Sequence, residues 1–498
     1  MSEIILTAAI SGLGAEIIQV EATSAGGEFG QIAIVGLPDV AISEARERVK
    51  SALVNCGLPY PKRKLTVNLA PAHLKKRGSG YDLPIAVCIL CLSNRFKFDF
   101  ERSIFCGELS LDGEVRPLRS VLPFILAAKR AGLKTAYLAV SNAAEAALVP
   151  GIEIIPVINL KQTIAKLKGE INIPAFKPET TPVLMKSVNP WSHIKGQTQA
   201  KRALTIAAAG GHNLLMIGPP GSGKSLLANS LAALLPDLSP QRQLEVAQIY
   251  SVAGEFDRVA KQLHRPPFRA PHHNASLASI LGGGRGPKPG EITLAHRGAL
   301  FLDELPEFSR VIIDALRQPI EQGQILISRA DNHLHFPADF LLLAAMNPCP
   351  CGYDGDDGRA CTCSQTSIQR YRQRISGPIL DRFDLQLNVP RLLPSELSSI
   401  AGDAQAPPLL AVESATKKQL RRQSHLNARA PSVVLRFWQK DNKEAESLAL
   451  QAADSLKLSA RAYDRLFKVA RTIADLDSEN NILPRHIAEA LSYRLDNK

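Results

Sequence analysis

Apolar residues run almost unbroken at three places near the middle of the chain: "NLLMIG" (213–218), "GALFLDE" (298–304) and "DFLLLAAMN" (339–347). Runs of this length predict strands buried on both faces, as in a parallel sheet covered by helices. Upstream the pattern changes. "IILTAAISGL", "AEIIQVEATS" and "GQIAIVGL" are short β-type runs split by glycines. "VAISEARERVKSALVNCG" follows with helical spacing and stops at Gly57, a helix-end signal. "KLTVNLA" and "TAYLAV" read as strands around the helical "PFILAAKRAG". Towards the far end, "SARAYDRLFKVARTIADL" and "RHIAEALSYRL" carry apolar residues at helical spacing. The chain therefore reads as α/β in pieces. A mixed α/β domain spans 1–172, and a proline- and threonine-rich linker spans 173–190. A parallel-sheet core spans 191–395, and a helical lid spans 396–498.

The first buried strand runs into "GPPGSGKS", with Gly218, Gly223, Lys224 and Ser225 at G-x-x-x-x-G-K-[ST] spacing, and the helical "LLANSLAALL" follows. Strand, glycine-rich loop and helix are the context in which this motif holds nucleotide phosphates. The loop Gly218, Pro219, Pro220, Gly221, Ser222 and Gly223 would wrap the phosphates, and the helix start at Ser225 and Leu226 favours anions. Lys224 would reach the outer phosphates of ATP and Ser225 would ligate magnesium. The second buried strand ends in Asp303, a candidate Mg²⁺ ligand through water, and Glu304, which would activate the attacking water. The third ends in Asn347, whose amide would position that water, although an Asn there also suits a turn. Arg382, in "GPILDRFDL", would stabilise transition-state charge, often across a subunit boundary. The competing reading is an internal ion pair with Asp381 or Asp384. Arg461 opens a helix of the lid, where it would report nucleotide state or be a solvated charge.

With 498 residues, 45% hydrophobic and 21% charged, the composition is that of soluble globular protein with sizeable cores. The start lacks a secretory pattern and no run suits a membrane span, so a cytoplasmic protein with no membrane partner is expected. A net charge of +12 hints at a polyanion such as nucleic acid.

"FRAPHH", "GEITLAHRGALFLDELPEF", "FPADFLLLAAMNPCPCGY" and "RYRQRISGPILDRFDL" together resemble the ComM/YifB family of magnesium-chelatase-like AAA+ ATPases, over essentially all 498 residues. The resemblance implies Asn347 as sensor 1, Arg382 as arginine finger and Arg461 as sensor 2. It implies a homo-oligomeric ring, hexameric, with ATP sites between subunits. It further implies a DNA motor that drives branch migration of recombination joints during natural transformation, acting on single-stranded and branched DNA. The alternative is a chelatase-like or chaperone-like ATPase that remodels a protein partner or assists metal insertion.

Residues outside the ATP pocket carry further expectations. Arg285 and Lys288 sit in the glycine-rich "LGGGRGPKPG", a basic hairpin suited to phosphate contact in a ring pore. "ILISRADNHLHFPAD" reads as a second hairpin turning near Asp331 and Asn332, without basic character. His272, His273 and His296 are expected to pack and bond backbone rather than bind metal. Cys349, Cys351, Cys361 and Cys363 form two C-x-C pairs, and four thiolates make a closed tetrahedral zinc site, with reduced thiols or a redox pair as the alternatives. The first piece resembles the Lon protease proteolytic domain through "GELSLDGEVRPLRSVLPFILAAKRAGLKTAYLAVSN" and "KKRGSGYDLPIA". Aligned on "AAKRAG", that likeness puts Leu122 where a dyad lysine would stand, so Ser79 lacks its base and no peptidase chemistry is expected. What remains is a basic loop, Lys75, Lys76 and Arg77, beside Lys62, Arg63 and Lys64, suited to DNA phosphates.

Overall fold

The computed structural model describes residues 4–25, 31–60, 63–93, 96, 98–178, 191, 194–284, 288–329, 332–356, 358–392 and 408–494. It divides into two compact units, Met1–Val183 with Gln243–Gln262, and Leu184–Arg242 with Leu263–Lys498.

In the first unit a seven-stranded sheet runs Ile32–Val35, Lys64–Ala70, Gly14–Ala25, Ile5–Ser11, Ser103–Phe105, Thr135–Ala139 and Glu153–Val157. Gly14–Ala25 pairs antiparallel with both its neighbours, and the outer pairings are parallel. In Lys64–Ala70 the buried positions are Leu65, Val67 and Leu69, the alternation of a strand with one core face. The helix Val40–Asn55 starts where the Asp39 carboxylate accepts the Ile42 amide at 2.9 Å. It buries Ile42, Ala45, Val49, Ala52 and Leu53, an i, i+3, i+4 stripe. Gly57 follows in the left-handed region, the helix end that its sequence predicts. The stretch 243–262, read from sequence as part of the middle piece, clusters with this unit. Gln248 Nε2 donates to the Leu13 carbonyl at 2.6 Å, and the Ser120 hydroxyl donates to the Ser251 carbonyl at 2.8 Å.

In the second unit five parallel strands run Phe268–Arg269, Ala299–Leu302, Leu341–Met346, Leu214–Ile217 and Leu385–Asn388. Every residue of Ala299–Leu302 and Leu341–Met346 is buried, as expected for strands covered on both faces. The strand order reverses at Leu214–Ile217, whose neighbours are the last two strands in chain order. Open parallel sheets bind ligands at the carboxyl ends of the strands beside such a reversal. The helices Leu409–Gln423, Ser432–Lys440, Lys443–Ser455, Ala460–Leu476 and Pro484–Ser492 make the C-terminal region helical. They do not form a core of their own. Leu435, Phe467, Ile473 and Ile487 share one cluster with Leu204 and with Met216, Leu343 and Leu387 of the sheet. No helix among the described residues is long and apolar enough to cross a membrane.

Candidate active site

The strand Leu214–Ile217 ends in the loop Gly218–Gly223, and the helix Lys224–Leu234 starts directly after it. Gly223 has φ +90°, a conformation that side chains with a Cβ rarely adopt, and it turns the chain into the helix. Lys224 is buried. Its ammonium donates to the carbonyls of Gly218 at 2.7 Å and Pro219 at 2.8 Å, and to Asn347 Oδ1 at 3.3 Å. Burial lowers its pKa, opposed by the Asp303 and Glu304 carboxylates. The Ser225 hydroxyl, exposed on the first turn, donates to Asp303 Oδ2 at 2.7 Å. Leu226 beside it is also exposed.

Asp303 and Glu304 follow the strand Ala299–Leu302, and Asp303 Oδ1 accepts the Glu304 amide at 3.0 Å. Glu304 itself has φ +53°, a strained position for a residue with a side chain, of the kind concentrated at functional sites. The His273 Nδ1 lies 3.3 Å from Glu304 Oε2, and the ring packs at a tilt against His272 with centroids 4.1 Å apart. His273 thus packs as expected, its ring also edge-on to Phe308, and in addition meets a carboxylate. His296 keeps that role, its Nδ1 accepting the Asp339 amide at 3.1 Å, and His272 Nδ1 accepts the Asn274 amide at 3.2 Å. The parallel register of the sheet brings the two together. Arg269 pairs with Leu300, and His273 and Glu304 each lie four residues further along.

Arg382 is buried and pairs with neither Asp381 nor Asp384. It donates to the Pro378 carbonyl at 2.8 Å and forms an ion pair with Glu321. Asp384 instead meets His212 at 3.2 Å and Arg465 at 3.4 Å. Burial disfavours that carboxylate, yet His212 and Arg465 hold its pKa below the ordinary value. Arg382 and Arg461 line one cavity of about 280 Å³, together with Arg429, Arg465 and Lys468. No residue of the loop Gly218–Gly223 lines that cavity. Asn213, unremarked in the sequence, ties the two regions together. Its Nδ2 donates to the Arg382 carbonyl at 3.0 Å, and its Oδ1 accepts the Leu342 amide at 2.8 Å.

The four cysteines converge, with their sulfurs all within 4.8 Å of one another. They are the one such cluster of potential metal ligands among the described residues. Lys288 is exposed on a short hairpin in which Gly282 pairs with Pro289 and Gly283 with Lys288. Arg285 lies outside the described residues. The second hairpin pairs Gln324–Arg329 with Asn332–Pro337, Arg329 opposite Asn332, and Asp331 lies outside the described residues.

In the first unit Lys75, Arg77 and Arg63 are exposed and Lys64 is half-buried, while Lys62 lies outside the described residues. Lys76 corrects the sequence expectation. It is fully buried and its ammonium donates to the Pro71 carbonyl, so it is not available to a phosphate. Burial also lowers its pKa. The Ser79 hydroxyl donates to the Glu108 carboxylate, and Leu122 is buried at the start of the helix Leu122–Arg130.

Three stretches match magnesium-chelatase families: residues 20–142 "Subunit ChlI of Mg-chelatase", 190–397 "Magnesium chelatase, subunit ChlI", and 410–494 the C-terminal part of that subunit. The chain is 44% identical over 495 residues to the uncharacterized protein YifB of Escherichia coli, covering 99% of this chain and 96% of that one. It is 42% identical over 499 residues to the competence protein ComM of Haemophilus influenzae, covering 99% and 97%. The magnesium-chelatase 38 kDa subunit of Cereibacter sphaeroides is 28% identical over 183 residues, covering 33% of this chain and 54% of that one.

The position of Lys76 has a measurable consequence. Lys76→Met keeps the aliphatic stem but leaves the Pro71 carbonyl without its donor, which costs about 1–3 kcal/mol of stability. Lys75→Ala and Arg77→Ala, being surface changes, stay within about 0.5 kcal/mol of the wild type. Denaturant unfolding of the three variants checks this ordering.

Proposed function

This chain belongs to the magnesium-chelatase-like AAA+ family that includes YifB and ComM, and we propose that it is an ATP-driven DNA motor promoting branch migration of recombination joints in natural transformation. One observation carries the reading: Lys224, Ser225, Asp303, Glu304 and Asn347 converge at one sheet edge, in a chain 42% identical over its length to a relative named as a competence protein.

ATP and Mg²⁺ are the ligands of this reading, and Zn²⁺ is the ion of the four-thiol cluster. The Ser225 hydroxyl and Asp303 carboxylate, 2.7 Å apart, are the hard oxygen donors that Mg²⁺ prefers. Magnesium, when bound, neutralises charge developing on the outer phosphates. Lys224 turns from the loop carbonyls to those phosphates. Glu304 takes the proton of the attacking water from a pose adjusted by His273, and Asn347 orients that water. Arg382, on a cavity separate from its own phosphate loop, reaches nucleotide held by a second copy, and Arg461 on the same cavity reports nucleotide state to the helical lid. A closed ring, hexameric in this reading, supplies such copies in the cytoplasm.

The DNA part of the proposal rests on the net charge of +12, the named relative, and the exposed Lys75, Arg77 and Lys288, with Arg285 as their neighbour in sequence. Contacts of this kind need charge rather than base reading. The chelatase-like alternative, work on a protein partner, is an outcome of the same tests.

ATPase and junction assays decide the reading. Glu304→Gln keeps ATP binding and lowers turnover by about 10²–10⁴-fold, whereas Lys224→Ala loses both. Wild-type turnover in Glu304→Gln excludes Glu304 as the base. DNA stimulates hydrolysis by the wild type, and a synthetic four-way junction is processed to separated duplex arms only with ATP. Stimulation falls as salt rises. Stimulation by a protein but not by DNA favours the alternative. Arg382→Ala subunits bind ATP but hydrolyse it slowly, and mixing them with Lys224→Ala subunits restores part of the activity. Mixed rings without rescue at any ratio place the arginine's action within one chain.

A further inference from the structure

The four thiols stand next to the catalytic edge, and their placement carries more than a metal. Cys349 is buried, and the other three are half-buried. Sulfur separations are 3.3 Å for Cys349–Cys351, 3.6 Å for Cys349–Cys361 and 3.5 Å for Cys351–Cys361. Four thiolates bonded to Zn²⁺ at about 2.3 Å in a tetrahedron lie roughly 3.8 Å apart, so the cluster is nearly set for the ion. The Cys351 amide donates to Cys363 Sγ and the Cys363 amide to Cys361 Sγ, each at 3.4 Å. Amides aimed at sulfur in this way help to orient the ligands of a bound ion. Two acids of the loop are committed elsewhere, Asp354 to Arg372 at 2.9 Å and Asp356 to Arg391 at 3.6 Å.

The loop that bears these thiols begins immediately beyond Asn347 and leans on the phosphate loop. The Gly352 amide donates to the Cys349 carbonyl at 3.0 Å, which closes the first turn. Gly352 has φ +88°, and a Cβ there would lie 2.6 Å from Pro220 Cδ and 3.9 Å from Asn347 Cγ. Only a glycine lets the thiol loop approach Pro220 this closely. At the other end, Ser364 follows Cys363 and caps the helix Gln365–Arg372. Arg372 of that helix returns to the Pro348 carbonyl at 3.4 Å. Both ends of the loop are thus tied to the residue after Asn347, and its middle is tied by sulfur.

We propose that Zn²⁺ held by Cys349, Cys351, Cys361 and Cys363 clamps the loop against Pro220 and thereby fixes Asn347 opposite Lys224 for turnover. This rests on the ATPase reading above for its kinetic consequence, but not for the clamp itself. Asn347 is the residue that touches the reacting groups, and the cysteines are positioning residues that act through it.

The test uses the full chain as purified, with Zn²⁺ as the probe ion. Elemental analysis gives one Zn²⁺ per chain. Removing it with a zinc chelator, Mg²⁺ being kept, raises hydrogen exchange in the peptide spanning 214–226 of nucleotide-free protein and leaves peptides of 1–172 unchanged. Turnover falls by about ten- to a hundred-fold, the usual cost of losing a supporting shell, while binding of a fluorescent ATP analogue is retained. Added Zn²⁺ restores both exchange and turnover. Gly352→Ala keeps the ion but pushes the loop off Pro220, so it shows the same exchange and kinetic change with full zinc content. Protein that as purified hydrolyses ATP at its full rate without stoichiometric zinc overturns the metal assignment. Zinc removal that leaves both exchange at 214–226 and turnover unaltered overturns the clamp. Wild type that shows the exchange change on zinc removal but never hydrolyses ATP, even when zinc-loaded, overturns the ATPase reading and leaves the clamp standing.

Discussion

The parallel register of three adjacent strands is the constraint on which the rest of the second unit depends. Ile217 pairs with Met346 on one side and Asn388 on the other, so the chain leaves the sheet at Gly218 level with Asn347. The Gly218 amide donates to the Met346 carbonyl at 3.2 Å, one further rung beyond the strand. Leu302 pairs with Ala344, which brings Asp303 to the same edge. A slip of one residue would turn every one of these side chains to the opposite face. Full burial of Leu341–Met346 forbids the slip, because both faces of that strand are packed.

Electrostatics at the edge follow from this geometry. An isolated ammonium is costly to bury, and Lys224 offsets the cost with two carbonyls, one amide oxygen and the nearby field of Asp303 and Glu304. A second, larger concentration of positive charge lies around Arg382 and Arg461, balanced on its walls by Glu321 and Asp384. Burial lowers the pKa of Arg465 and of Lys468 there, with Asp384 acting against it in both cases. Asn213 bonds the loop of Arg382 to the strand that ends at Asn347. The cationic cavity and the phosphate-loop edge are therefore mechanically joined while lined by different residues.

The first unit holds a polar cluster where its sequence resembles a protease. Ser79 is engaged by Glu108, and the buried Asp82 takes two bonds from Arg48, at 2.7 and 3.1 Å. Burial pushes the Asp82 carboxyl up to about 6, against the pull of Arg48. The Gly78 amide donates to Asp39 at 3.0 Å, which pins the loop that carries Lys75 and Arg77. Lys76 faces inward because its amine finds the Pro71 carbonyl, while its two neighbours stay at the surface.

Local pattern determined a good deal by itself. The unbroken apolar runs specified buried parallel strands, the glycine and lysine spacing specified a strand, a tight loop and a helix at Gly218–Lys224, and Gly57 marked a helix end, since each depends on neighbours in sequence. The convergence of four cysteines was legible for the same reason, two short bites joined by a polar turn. Other facts were decided only by tertiary structure. One basic run put Lys75, Lys76 and Arg77 together, but which of them turns inward depended on a carbonyl five residues away in a folded loop. His273 met Glu304 through strand register, and Arg382 chose Glu321 over its sequence neighbours because the Arg465 and His212 side chains had already claimed Asp384. The stretch 243–262 joined the first unit through contacts with Leu13 and Ser120, far away in sequence. Sequence fixes what lies within a few residues of itself, while burial and the competition for polar partners are settled only when distant segments share one core.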